Sequence, residues 1–296
     1  MILLGHGAYS AADWSKLKTS RGISSVSNGK IFRQNRIDPR FNPCFIGARE
    51  SRDSSEHPDS TPVIIGVDVT GSMEYLSESI IKNSLHELMM KFYSTDTVKD
   101  PQLMFSAIGD VCDSAPLQVT QFESDIRIAE QLLDLWIEGR GGDAAEDYEL
   151  LWYFAAYHTD TDCFKKRRKK GYCFTIGDAG CHDFLSADNV QEIFGDKVRD
   201  AFSSKQLAEA ASEKYELFHI MIGSDYRNFG QILPGRVMLI DKSDVEYLPE
   251  IIFSAIQFSD GIPLQTILAQ WSSSSAAVVK SALSDVNDIG EDYIKF

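Results

Sequence analysis

Long apolar runs are missing from this sequence: no stretch approaches the roughly 18 consecutive apolar residues that a bilayer-spanning helix needs. A soluble chain is therefore predicted. The opening MILLGHGAYS lacks the basic flank and the length of apolar segment that mark a secretory signal, so export is not expected. No two cysteines stand at CxxC spacing, and five of them (Cys44, Cys112, Cys163, Cys173, Cys181) are an odd number. That pattern disfavours a disulfide framework and predicts reduced thiols and a cytoplasmic location. Positive charge is also scarce, with 29 Lys and Arg against 44 Asp and Glu and a formal net charge of -15. Phosphate contacts would have to overcome that repulsion, which argues against nucleic acid as a partner. There is no internal repeat.

What is present is the composition of a globular protein, 43% hydrophobic and 25% charged over 296 residues. Residues 1–61 hold nine Lys and Arg against six Asp and Glu, leaving 20 against 38 downstream, so the acidic character belongs to the main domain. The first 61 residues offer one helical stretch, SAADWSKLKTSR, and then polar segments containing Pro and Ser. They read as an N-terminal arm and linker. From Pro62 onward, strand and helix signals alternate. PVIIGVD, GYCFTIGD, ELFHIMIG and RVMLID are apolar runs of strand length, as expected for strands buried on both faces of a parallel sheet. LMFSAIGD and PLQVTQF flank the polar turn DVCDSA and read as a hairpin. Helical spacing follows the first strand and recurs in SDIRIAEQLLDLWI, AAEDYELLWYFAAYH, SADNVQEIF, KQLAEAASEKY and DVEYLPEIIFSAI, the last of these broken or started by Pro249. The prediction is an α/β domain over 62–258, Rossmann-like and doubly wound. Its central sheet is mostly parallel, with one antiparallel edge strand and helices on both faces. Residues 259–296, with their Ser tract and acidic end, form a C-terminal tail.

In an open α/β sheet, functional groups gather at the carboxyl ends of the strands, near the switch in strand order. Asp68 and Asp178 each terminate a buried-type strand, and the Gly-rich loop EGRGGD carries Asp143 to the start of a helix. Asp110 and Asp113 in the hairpin turn would fall on the same rim if their strand runs parallel to the first. Five carboxylates on one rim are costly without a cation, and oxygen donors select a hard divalent ion.

The segment Asp68-Val-Thr70-Gly-Ser72, at the end of an apolar strand and ahead of a helix, resembles the D-x-[ST]-x-S signature of von Willebrand factor A (vWA) domains. In these domains a metal-ion-dependent adhesion site (MIDAS) holds Mg2+. The resemblance covers about 62–258 and implies that Thr70 and Ser72 supply hydroxyl ligands. Asp68 and Asp178 would support the metal directly or through water. Asp143 stands where the family's Gly-rich loop has threonine. A third carboxylate would leave the site formally negative, weakening its pull on an acidic partner group and shifting preference towards Ca2+ or Mn2+. Asp143 and Glu146 are also spaced as a helix capping box. By resemblance, the chain is a metal-dependent protein-interaction module and no enzyme. It would act as a scaffold or adaptor in a multi-component intracellular system, with a protein partner offering an acidic group and an ATPase among the associated components.

Rival chemistries fit less well. A haloacid-dehalogenase-type phosphatase needs a second carboxylate where Thr70 stands, and a P-loop needs a lysine that DVTGSMEY lacks. A metal-assisted phosphoesterase using Asp68, Asp143 and Asp178 is the alternative that survives. Cys173, Cys181 and His182 are close in sequence but do not make a tetrahedral zinc set, since Cys173 lies inside a strand. Asp110 and Asp113 read as turn formers, His219 as a core histidine, and Trp136 and Trp152 as helix-face packing. The run KKRRKK (165–170) reads as a solvated loop or a contact for an acidic surface, at the end of the sheet opposite the proposed metal.

Overall fold

The computed structural model describes residues 8–23, 31–73, 78, 84–95, 97–139, 145–223 and 228–286, with Ser72 and Leu85 described in their backbone alone. The longest buried run becomes the centre of the sheet. Strand β1 (Thr61–Asp68) is buried at every position. It is flanked by β2 (Pro101–Ile108) and β4 (Gly171–Gly177), both parallel to it. The short β3 (Leu117–Val119) returns antiparallel on β2, closing the predicted hairpin. Strands β5 (Tyr215–Ile222) and β6 (Val237–Ile240) extend the sheet in parallel, giving the order β6-β5-β4-β1-β2-β3. The chain thus steps to one side of β1 for β2 and β3, then crosses to the other for β4. The switch in strand order lies between β1 and β4, at the edge where Asp68 and Asp178 emerge.

Side chains alternate along β1. Val63, Ile65 and Val67 enter one core layer with Leu103, Phe105, Phe174 and Ile220, while Ile64 enters the other with Met104, Cys173 and Leu217. The first layer is covered by α1 (Ala11–Arg21), α2 (Leu85–Ser94), α3 (Arg127–Leu133), α7 (Leu248–Ser259) and α8 (Ser273–Ala282). Trp14 and Leu17 of the arm, and Val279 and Ala282 of the tail, lie within this same layer. The second is covered by α4 (Tyr148–Tyr157), α5 (Ala187–Phe194) and α6 (Ser204–Ser212). Helix α4 is apolar nearly all round and buried from Tyr148 to Ala156, as a central helix must be. It sits close to the sheet because β1 carries Gly66 there: a methyl group at that position would overlap Leu151. Sequence-encoded caps hold the surface helices. Ser10 accepts from the Asp13 backbone, Ser186 from Asn189, and Ser203 and Gln206 form a reciprocal capping box.

The basic run is part helix and part exposed loop. Lys165, Lys166 and Arg167 end the short helix Asp162–Arg167, and most of the run is engaged in ion pairs. Lys165 pairs with Asp160, Lys166 with Asp53 and Asp162, Arg167 with Asp53, and Lys170 with Glu216. Beside them the arm segment Arg49–Ser51 pairs in parallel with Thr159–Thr161. Arg52 bridges Glu50, Asp160 and Asp162. This clasp lies at the amino ends of the parallel strands, opposite the rim.

Candidate metal centre

At the end of β1 the backbone turns through Thr70, whose N–H donates to Asp68 Oδ1 at 2.8 Å, an Asx-type turn that fixes the carboxylate. Thr70 Oγ1 stands 2.8 Å from the same oxygen and 2.7 Å from Glu146 Oε1, with all three residues buried. A hydroxyl has one proton, so only one of these oxygens can accept it. The other contact requires a proton on the carboxyl, which then donates to Oγ1, or a cation between the oxygens. Glu146 Oε2 is buried without a hydrogen-bond partner among the described residues. Tyr148, at the first position of α4, directs its hydroxyl to Asp68 Oδ2 at 3.4 Å. It reaches that point because β4 ends in Gly177, where any Cβ would overlap the Tyr148 hydroxyl.

Burial dominates the electrostatics of this corner. It pushes the Asp68 carboxyl up to about 7, and the charge of Asp178 adds to the shift against the opposing pull of the Thr70 hydrogen bonds. Glu146 is pushed up to about 8 by burial and then by the charges of Asp68, Asp110 and Asp147. Asp147 is raised by burial, and Glu149 well above its usual range by burial and by Asp147. These acids are crowded, desolvated and facing one another, the arrangement in which a divalent cation displaces protons most readily. Asp178 is more open and meets Lys242 Nζ at 3.1 Å.

Of the residues singled out in the sequence, Asp68, Thr70 and Asp178 come to one rim. Ser72 lies in the turn Gly71–Met73 on that rim, described in its backbone alone. Asp143 lies outside the described residues. Asp110 is on the same rim, because β2 runs parallel to β1. Asp110, Asp147 and His182 each offer a ligand atom there, and these lie within 4.8 Å of one another. Asp113 does serve the turn, its Oδ2 accepting from the Asp110 backbone at 3.0 Å. His219 is a core histidine, stacked on Phe229 and paired with Thr175 Oγ1 through Nδ1 at 2.9 Å.

The sequence alone did not single out Glu146, Asp147 and Tyr148, which the fold brings to this corner. Glu146, spaced from Asp143 as one half of a capping box, sits instead in a two-residue bridge, Ala145–Glu146 beside Gly180–Cys181. The available signal was the acidic string EDYE placed between a Gly-rich loop and an all-apolar helix. Cys173 lies inside β4, and Cys181 and His182 face different groups. The Cys181 thiol donates to Glu149 Oε2 at 3.3 Å, while His182 faces the carboxylates.

No family model matches the sequence, and no curated protein sequence matches it. Solved structures do resemble it. A von Willebrand factor type A protein from Catenulispora acidiphila is 12% identical with a TM-score of 0.40, over 77% of this chain and 51% of that one. Proximal thread matrix protein 1 from the mussel byssus, solved with a zinc-occupied MIDAS motif, is 12% identical with a TM-score of 0.43, over 66% and 47%. The pilus adhesin SpaC from Lactobacillus rhamnosus GG is 9% identical with a TM-score of 0.47, over 70% and 31%. The chain thus spans between 31% and 51% of the length of these solved chains. In its mostly parallel six-stranded sheet and the D-x-T-x-S turn that closes β1, the chain is similar to von Willebrand factor A domains.

Proposed function

We propose that residues 62–258, flanked by the arm 1–61 and the tail 259–296, form a metal-dependent protein-interaction module with one divalent cation at the end of β1. Asp68, Thr70, Ser72 and Asp178 would hold the ion, with Asp143 and Glu146 beside it. The observation that carries this reading is the single Thr70 hydroxyl set against two buried carboxyls, Asp68 and Glu146, the latter with a second buried oxygen that has no hydrogen-bond partner among the described residues. A cation supplies the positive charge that this set lacks. Hydroxyl and carboxylate oxygens favour Mg2+, Mn2+ or Ca2+. When bound, the metal would offer an open coordination position to an acidic group of a partner protein. The five unpaired thiols suit a reducing compartment, and a scaffold or adaptor role in a multi-component intracellular system, an ATPase among its components, follows from the family resemblance.

Calorimetric titration of the full chain with Mg2+, Mn2+ and Ca2+ tests the site. Asp68→Ala should abolish binding and Thr70→Val weaken it by about tenfold or more, while Thr70→Ser, which keeps the hydroxyl, retains it. Partner recovery should fall when a chelator is added. The site reading fails if no ion binds, or if binding survives Asp68→Ala. Metal-dependent hydrolysis of phosphate esters by the purified chain would replace the interaction reading with a phosphoesterase.

A further inference from the structure

We propose that Asp110, Asp147 and His182 form a second metal site, distinct from the one at Thr70 and suited to a transition metal such as Zn2+. Three connections meet there. Asp110 follows β2, Asp147 immediately precedes α4, and His182 follows β4, with one ligand atom from each lying within 4.8 Å of the others. No other such group of three or more His, Cys, Asp or Glu occurs among the described residues. The three are held by backbone contacts and need little rearrangement. Val111 N–H donates to Asp147 Oδ2 at 2.6 Å, and Cys112 N–H to Asp110 Oδ1 at 3.0 Å. His182 N–H donates to the Glu146 carbonyl at 3.3 Å, at the end of the two-residue bridge.

A second observation also points to an ion. Glu149, in the first turn of α4, is wholly buried, its carboxyl meets that of Asp147, and its Oε1 accepts no hydrogen bond from the described residues. Two ionised carboxylates have no proton to offer each other, so two buried carboxyls in contact need either a shared proton or a cation. Asp110, Glu146, Asp147 and Glu149 are all buried, so four acids crowd one corner of the rim. A cation bound by Asp110, Asp147 and His182 would answer that charge.

The donor set decides which cation. An imidazole nitrogen with two carboxylate oxygens is a poor match for Mg2+ or Ca2+, which take oxygen, and a good match for Zn2+ or its spectroscopic substitute Co2+. Three protein ligands leave a fourth tetrahedral position open to water or to a partner group. The two sites thus differ in chemistry: a hydroxyl-rich oxygen set at the end of β1, and a histidine-containing set beside it.

Titration of the tag-free full chain with Co2+, followed by visible absorption, and with Zn2+, followed by calorimetry, separates the two sites. The Asp68→Ala chain should still bind one Zn2+ and develop Co2+ ligand-field bands. His182→Gln and Asp110→Asn should each weaken Zn2+ binding by about 100-fold or more and remove those bands, while leaving Mg2+ or Mn2+ binding at the Asp68 site measurable. That retained binding shows that the variant has folded. The proposal is overturned if the Asp68→Ala chain binds no Zn2+ or Co2+, or if His182→Gln leaves binding and bands unchanged. If Zn2+ binds the Asp68→Ala chain in a His182-dependent way while Mg2+, Mn2+ and Ca2+ bind no variant, the second site stands and the first one falls.

Discussion

His219 shows at the scale of one residue how burial sets a pH response. Its ring is fully buried in β5 between Tyr148 and Phe229, and desolvation pulls its pKa from 6.5 down to about 3. The folded chain therefore keeps this imidazole neutral at pH values where the unfolded chain has already taken up a proton. Stability from this group is whole above 6.5 and declines as the pH falls from 6.5 towards about 3, since the unfolded state binds the extra proton. Urea unfolding measured at a series of pH values across that window should show a shallower acid slope for His219→Gln than for the parent chain. The variant's absolute stability should be lower by about 1–3 kcal/mol, because Thr175 loses its partner. An identical slope would mean that other groups carry the acid response. Thr70 presents the complementary case: its geometry poses a proton-counting problem that no rotation of its hydroxyl resolves.

At the scale of elements, the metal centre depends on how closely α4 approaches the sheet. Gly66 admits Leu151, and Gly177 admits the Tyr148 hydroxyl on its way to Asp68. Gly177→Ala should push the first turn of α4 outward, costing about 1–3 kcal/mol by overpacking. It should also weaken divalent-ion binding, because Tyr148 and Glu146 are two residues apart and move together. A thermal melt and a metal titration of the same variant check both effects, and a chain unchanged in both would show that the helix shifts without cost. The same elements explain what the sequence could disclose. Asp68 and Asp178 were legible because apolar runs of strand length mark where strands end, and α/β topology puts those ends on one rim. Thr70 and Ser72 were legible from the motif that follows. Glu146 was hidden by its spacing from Asp143, which imitates a helix cap, and by a two-residue bridge too short to leave any periodic signal. Asp110 was legible on the rim from the hairpin, but its neighbours Asp147 and His182 were hidden because the rim joins three loops that are far apart in sequence. His182 also had cysteines for neighbours, and they drew attention to a ligand set that the strand geometry breaks apart.

Across the whole molecule, the parallel sheet separates two charged ends with opposite roles. The carboxyl end concentrates the buried acids Asp68, Asp110, Glu146 and Asp147, none of them paired with a Lys or Arg among the described residues, and the amino end pairs the basic run with acids of the arm and of neighbouring elements. Arg167 is central to that clasp, with Nη1 and Nη2 at 2.8 and 3.1 Å from the two oxygens of Asp53 and a further bond to the Ser60 carbonyl at 2.9 Å. Ser60 Oγ also donates to Asp53 at 2.7 Å, so the pair ties the end of the arm directly to the entry of β1. Because these groups are partly solvated, Arg167→Gln should cost no more than about 1 kcal/mol of global stability. Its larger effect should be local: the segment around Arg49 and Arg52 opens more often, and trypsin cuts there several-fold faster than in the parent chain. Metal affinity at the far rim should stay within about twofold, since the two ends share no partner and sites this far separated behave additively. Faster cleavage with unchanged metal binding would establish the run as an internal fastening. Loss of partner recovery without faster cleavage would make it a docking surface.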